Sequence, residues 1–281
     1  MSRWMFELAI ALVLLAPAPL LAGAPCTAPS ADCVAVGEWD LSVAIGIGER
    51  SNPIAGNDDI PLFVIPQLSF YGKRFFLDNL EFGYTLIETE SHTLNLIATP
   101  GYDRVFFFRN DPQNFFVPGV GLVSAPGEAD VSEEMTRVEI AARRARSTTY
   151  FTGTEWLFEL GRSVGQLSAL YEATGRHKGY EVRGAFAVPL VQATASLVLS
   201  AGFTWKSSQV VDYYYGIDGY YEPGDAFNPF VKLGFSQPIS ERCSFTAFVH
   251  YERLGSSIAD SPLVTEDAVT TAFAGFVWRV F

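Results

Sequence analysis

Residues 194–206 read TASLVLSAGFTWK, and their alternation decides the fold class. Ala195, Leu197, Leu199, Ala201, Phe203 and Trp205 fall on one face of an extended chain. Thr194, Ser196, Val198, Ser200, Gly202, Thr204 and Lys206 fall on the other, because successive strand side chains point to opposite sides. A segment this long, apolar on one side, small or polar on the other and ending in Trp, has the build of a bilayer-crossing strand. Its apolar side chains meet lipid, its polar ones line a lumen, and the indole settles at the interface.

The same period recurs along the chain. In 39–48, WDLSVAIGIG, Trp39, Leu41, Val43, Ile45 and Ile47 oppose Asp40, Ser42, Ala44, Gly46 and Gly48. Leu80, Phe82, Tyr84 and Leu86 alternate with Glu81, Gly83 and Thr85, and Phe245, Ala247, Val249 and Tyr251 with Thr246, Phe248, His250 and Glu252. HTLNLIATPGY, STTYFTGTEWLFEL, GQLSALYEAT, GYEVRGAFAV and NPFVKLGFS are weaker members of the set. Short turn clusters (YGKR, GRHKG, SQPISERC) and longer polar loops at 49–59, 109–114, 124–136, 207–228 and 254–267 separate them. A soluble sandwich or a lipocalin-like barrel also alternates, but its polar face is charged. Here the polar face is mostly Ser, Thr, Gly and Ala, with charge gathered in the loops. The expectation is an all-β, antiparallel transmembrane β-barrel of about 12 strands over residues 39–281. The chain stops on TTAFAGFVWRVF, as expected of a last strand that closes on the first, although the alternation puts Phe281 on the face of Arg279 rather than of Trp278.

Composition agrees. Hydrophobic residues make up 49% and aromatics 14%, yet past the amino terminus no apolar run is long enough for a membrane helix. A net charge of −12 excludes a generic nucleic-acid surface, which needs a clustered positive field. The one basic cluster, ARRAR with Arg143, Arg144 and Arg146, follows the acidic EADVSEEM and reads as a solvated loop, with a lipid or partner contact as the alternative.

Residues 1–24 have the layout of a cleaved signal peptide: Arg3, an apolar core from Leu8 to Leu15, Pro17 and Pro19, then Ala22-Gly23-Ala24. An uncleaved anchor is the competing reading. Residues 25–38 are then a periplasmic segment, in which Cys26 and Cys33 lie close enough in sequence for a small disulfide loop. A lipidated Cys26 is the alternative, opposed by Pro25.

The search for chemistry finds no catalytic set, no cofactor motif and no metal site. His92, His177 and His250 are scattered, and no G-x-S-x-G elbow, phosphate loop or calcium-loop spacing occurs. The most distinctive loop is VVDYYYGIDGYYEPGD. Its Tyr213, Tyr214, Tyr215, Tyr220 and Tyr221 read either as a sugar or protein contact, or as an interfacial girdle with a self-packed loop.

From about Gly37 to Phe281 the chain resembles the MltA-interacting protein/OmpV family of Gram-negative outer-membrane proteins. The resemblance rests on VGEWDLSVAIGIGERSNPIAGNDDIPLFVIPQLSFYGKRFFLDNLEFGYTL, GRHKGYEVRGAF, DYYYGID and SPLVTEDAVTTAFAGFVWRVF. Members often end in an aromatic-Arg-Phe, whereas here Val280 separates Arg279 from Phe281. The resemblance implies an outer-membrane location and contact with lipid. It further implies a non-enzymatic scaffold whose partners are a lytic transglycosylase and a penicillin-binding protein. A narrow diffusion channel for small solutes is the other function compatible with the pattern.

Overall fold

The computed structural model describes residues 36–107 and 146–280. The expected signal peptide, the Cys26–Cys33 pair, the loops at 109–114 and 124–136, Arg143, Arg144 and Phe281 lie outside the described residues. Cys243 is free.

Twelve strands are present among the described residues: β1 Trp39–Arg50, β2 Ile60–Tyr71, β3 Phe75–Asp78, β4 Glu81–Glu88, β5 His92–Pro100 and β6 Tyr150–Leu160. β7 Ser163–Glu172, β8 Tyr180–Gln192, β9 Ser196–Lys206, β10 Ala226–Ser240, β11 Cys243–Arg253 and β12 Ala268–Arg279 complete the set. Each pairs antiparallel with its neighbour in the chain, and β1 closes on β12 to make a barrel. At the foot of that seam Arg279 Nε meets Asp40 Oδ2 at 2.5 Å. No described helix is long and apolar enough to cross a membrane, so crossing falls to the strands.

Connections are sorted by end. Turns at 72–74, 89–91, 161–162, 193–195 and 241–242 join strands at one rim, and longer segments at 51–59, 101–149, 173–179, 207–225 and 254–267 join them at the other. In outer-membrane barrels the short turns are periplasmic and the long loops external.

Side chains follow the alternation read from the sequence. Ile45, Ile47, Leu199, Val249 and Phe276 are exposed on the wall, where lipid covers them, whereas Ser42, Ala44, Lys206 and Thr271 are buried inside. Aromatic pairs ring both rims, Tyr171–Tyr180 and Phe203–Phe227 outside and Trp39–Phe70 and Phe276–Trp278 on the periplasmic side.

Three segments differ from the sequence reading. SQPISERC is not a turn cluster: β10 runs through Pro238 to Ser240 and only 241–242 turn. Pro61 and Pro66 hide β2, whose alternation is further broken where Gly48 pairs with Leu62 but Ile45 with Val64. β3 has only four residues and reverses at Asn79, which sits at φ 53. Asn79 donates its N–H to the Leu68 carbonyl at 2.7 Å, and its Oδ1 accepts from Leu68 N–H at 3.1 Å. Asn79 thereby ends the β2–β3 ladder partway up β2. Pro66, two residues on along the edge past that point, has no N–H to leave unpaired, which is the usual means of ending a sheet edge safely.

Candidate functional site

Among the described residues the lumen, rather than the outer surface, carries the concentrated chemistry, and loops at its outer end pack into the mouth. Loop 207–225 folds into helix α1, Ser208–Tyr215, and loop 254–267 into helix α2, Ser256–Ala259. Val210, Val211, Tyr214 and Tyr215 recur at helical spacing and face inward, where each is at most 1% exposed. They pack with Ile54, Ile97, Phe151, Leu170, Leu254, Ile258 and Val269, so strands and three loops share one apolar cluster under the rim.

Polar contacts pin α1 from several sides. Tyr215 hydroxyl donates to Asp103 Oδ1 at 2.7 Å, and Lys206 Nζ donates to the same oxygen at 2.6 Å. Asp103 is supplied by a 3-10 turn, Tyr102–Phe106, that enters the mouth directly after β5. Arg146 Nε donates to the Tyr214 carbonyl at 2.9 Å, Thr149 Oγ1 shares a hydrogen bond with Tyr214 hydroxyl at 3.0 Å, and Ser261 Oγ donates to the Tyr215 carbonyl at 2.7 Å. Burial first, then the Asp103 charge, push the Tyr214 and Tyr215 phenols above their ordinary range, so both remain protonated.

The tyrosine run is therefore divided between the packed loop and the surface. Tyr214 and Tyr215 are buried and meet no outside partner, and Tyr213 accepts the Ser147 N–H at 2.9 Å. Tyr221 is half-buried, with its hydroxyl donating to the Ser257 carbonyl, whereas Tyr220 is exposed. The signal for this was the spacing of Val210, Val211, Tyr214 and Tyr215, too short to stand out as a helix.

Beside α1, the β7–β8 loop is built around one carboxylate. Glu172 accepts backbone N–H bonds from Arg176, His177 and Lys178 at 2.9, 3.2 and 3.0 Å and a bond from Thr174. His177 accepts the Gly179 N–H on Nδ1 at 3.1 Å and lies 5.2 Å from the Tyr213 ring. Burial holds its imidazole below the ordinary value, against the pull of Glu172, Glu181 and Asp103.

Beneath the mouth a polar row runs around the wall through directly paired residues: Thr85, Asn95, Glu155, Ser168, Arg183, Thr204 and Asn228. Asn95 and Gln166 both donate to Glu155, and Arg183 is paired with Glu181 at 2.7 Å. The facing wall is apolar inside, with Ala44, Ile60, Leu62, Ile65, Phe248 and Phe273 clustered together. Among the described residues no group of His, Cys, Asp and Glu is placed to hold a metal. His92 is exposed at the turn end against Trp156, far along the wall from His250 in the lumen.

The family model for the MltA-interacting protein MipA matches residues 43–280, nearly the whole barrel. The chain belongs to that family. The protein YiaT of Escherichia coli (strain K12), whose name places it in the outer membrane, is 23% identical over 249 residues, covering 85% of this chain and 91% of its own length. The outer membrane protein OmpV of Vibrio cholerae is 32% identical over 104 residues, 34% of this chain and 40% of its own. Among solved structures, a loop-deletion mutant of the Vibrio cholerae outer membrane protein OmpT matches 87% of this chain and all of its own at 9% identity and TM-score 0.36. The outer membrane protein OprG of Pseudomonas aeruginosa matches 86% of this chain and 92% of its own at 9% identity and TM-score 0.21. Sequence membership and the closed barrel place this protein in the outer membrane.

Proposed function

We propose that the protein is a non-enzymatic docking barrel for periplasmic peptidoglycan-remodelling enzymes, specifically a lytic transglycosylase and a penicillin-binding protein. The observation that carries this reading is the packing of loop residues into the outer mouth. Tyr214, Tyr215, Val210, Val211 and Ile258 fill it and the Lys206–Asp103–Tyr215 contacts latch it, an arrangement unsuited to free solute flow. What the barrel offers its surroundings is then its rim of short turns, where Lys73, Arg74, Arg162, Glu241 and Arg242 present charge to the periplasm. Residues 36–38, which lead into β1, lie at the same rim. The family name, MltA-interacting protein, supports a partner of this kind.

The test is affinity capture of the tagged mature protein from mildly solubilised envelopes, against a control barrel of similar size. Enrichment of a lytic transglycosylase or a penicillin-binding protein, reduced by charge reversal at Lys73 and Arg74, supports the docking reading. Recovery of only lipid and assembly machinery sinks it. The competing narrow-channel reading requires steady conductance from the purified wild-type barrel, which the latched mouth opposes.

A further inference from the structure

Three of the cationic side chains that line the lumen have a carboxylate partner. Lys206 meets Asp103 at 2.6 Å, Arg183 meets Glu181 at 2.7 Å and Arg279 meets Asp40 at 2.5 Å. Arg50 and Lys232 have no ion pair among the described residues. Both lie on one circumferential row of the inner wall: Lys232 on β10 pairs with His250 on β11, His250 with Thr271 on β12, and Thr271 with Arg50 at the outer end of β1. Directly paired side chains in a sheet have Cβ atoms about 5 Å apart, so Lys232 and Arg50 stand at the ends of a row about 15 Å long at Cβ, with the His250 imidazole and Thr271 between these two long cationic side chains. They are close enough that Arg50 acts electrostatically on both Lys232 and His250.

The row is built rather than incidental. Arg50 is only 7% exposed, and its Nε donates to Thr271 Oγ1 at 3.2 Å. That bond fixes the guanidinium on the wall, leaves both Nη groups without a hydrogen-bond partner among the described residues, and leaves the Thr271 hydroxyl proton free to donate. Lys232 Nζ stands 5.1 Å over the Phe248 ring, and the Phe230 ring lies 5.2 Å from His250, so aromatic faces bound the row above and below. Among the described residues, the carboxylate that acts on Arg50 is Glu252, one pairing level farther out, which accepts from Asn228 at 2.9 Å. Among the described residues, one negative charge shared with Lys206 and Arg50 leaves the row with a positive excess in a protein whose net charge is −12. Clustered donors of this kind, a planar guanidinium fork beside a point-charge ammonium and a hydroxyl, match the several acceptor oxygens of one oxyanion.

We propose that Arg50, Lys232, His250 and Thr271 form an oxyanion-binding site in the lumen, taking the phosphate or carboxylate group of a solute or of a lipid. The proposal is independent of the docking reading. Two sources of phosphate are distinguishable by experiment. Wild-type barrel and the K232Q, R50Q and K232R variants are placed in phosphatidylcholine nanodiscs, and their thermal unfolding is followed by the loss of heat-modifiable migration while inorganic phosphate, acetate or choline is titrated. Heat-modifiable migration itself reports that each variant has folded.

With a free-solute site, phosphate and acetate raise the unfolding temperature of wild type and K232R. The half-saturating concentration rises at least tenfold in K232Q and R50Q, and choline has no effect. With a lipid as source, phosphate is silent, but exchange of phosphatidylcholine, whose phosphate is neutralised by its own choline, for phosphatidylglycerol, whose phosphate is not, stabilises wild type and not K232Q, which assigns the same site to the phosphate of an anionic lipid. In phosphatidylcholine, which has no net charge, and without added phosphate or acetate, K232Q unfolds at a higher temperature than wild type, because it relieves the uncompensated charge. Stabilisation by anions that is equal in all four proteins, or absent in both lipids, overturns the proposal.

Discussion

Replacing Asp103 by Ala should open the outer mouth without dismantling the barrel. Asp103 is 2% exposed, and one of its oxygens takes both the Lys206 ammonium and the Tyr215 hydroxyl. The substitution removes an ion pair and a hydrogen bond and leaves Lys206 buried without its partner, a change that costs about 3–5 kcal/mol in comparable buried pairs. Glu181 and Glu252 still act on Lys206 from nearby, which favours the lower end, about 3 kcal/mol. At about 1.4 kcal/mol per factor of ten, the fraction of molecules with α1 lifted rises roughly 100-fold. Chymotrypsin reads this directly. Tyr214 and Tyr215 are its natural targets, are at most 1% exposed, and are cut only when the helix leaves the mouth. When opening is fast relative to cleavage, the rate tracks the open population. Nanodisc-embedded D103A should therefore be cleaved within 213–215 about two orders of magnitude faster than wild type. D103A combined with Lys206→Met should recover much of the protection, because no charge is stranded. Cleavage of D103A at the wild-type rate would refute the claim that this contact latches the mouth.

Val249→Arg places a charge on a lipid-facing site that is 52% exposed, and should lower urea stability by about 2–4 kcal/mol, whereas Ser200→Arg on the lumen face should cost far less. Equal effects would contradict the assigned sidedness. Gly83 lies under the Phe76 ring, where a Cβ would come within 1.9 Å of the ring carbon. Gly83→Val should then cost about 1–3 kcal/mol by overpacking and first loosen the β3–β4 hairpin, read by hydrogen exchange at 75–84. His177 is held below its ordinary value by burial, so between that value and its folded one the unfolded state carries more protons. Stability of the 173–179 loop should be complete above the ordinary histidine value and decline as pH falls through it, and His177→Gln should flatten the decline; identical pH profiles of loop proteolysis would count against it.

How much of this was legible in the sequence depended on whether a single periodicity governed the segment. Where lipid lies on one face and a polar lumen on the other, the chain must alternate, so 194–206 and 245–252 announced their strands and even their facing, Lys206 and His250 inward. β2 escaped because Pro61, Pro66 and the irregular pairing near Leu62 interrupt the alternation, and because its inner face carries Ile60, Leu62 and Ile65 rather than polar residues. That apolar inner face has a tertiary cause no local pattern contains, since its partners, Phe248 and Phe273, arrive from β11 and β12 nearly two hundred residues later. The mouth was hidden for a related reason. Eight residues of helix give two turns of apolar spacing, and the tyrosine hydroxyls suggest a surface until Asp103, Thr149 and Arg146 are seen to satisfy that segment from the far side of the barrel. The lumen charges follow the same logic. Lys206 and Lys232 look alike in their strands, each an inward cation among small residues, and only the closed fold gives one an aspartate, from the turn after β5, and the other, through the register around the wall, a row of basic neighbours. Local alternation specifies which side of the wall a residue occupies, but closure of the ring specifies whom it meets there, and in this protein the chemistry resides in the second.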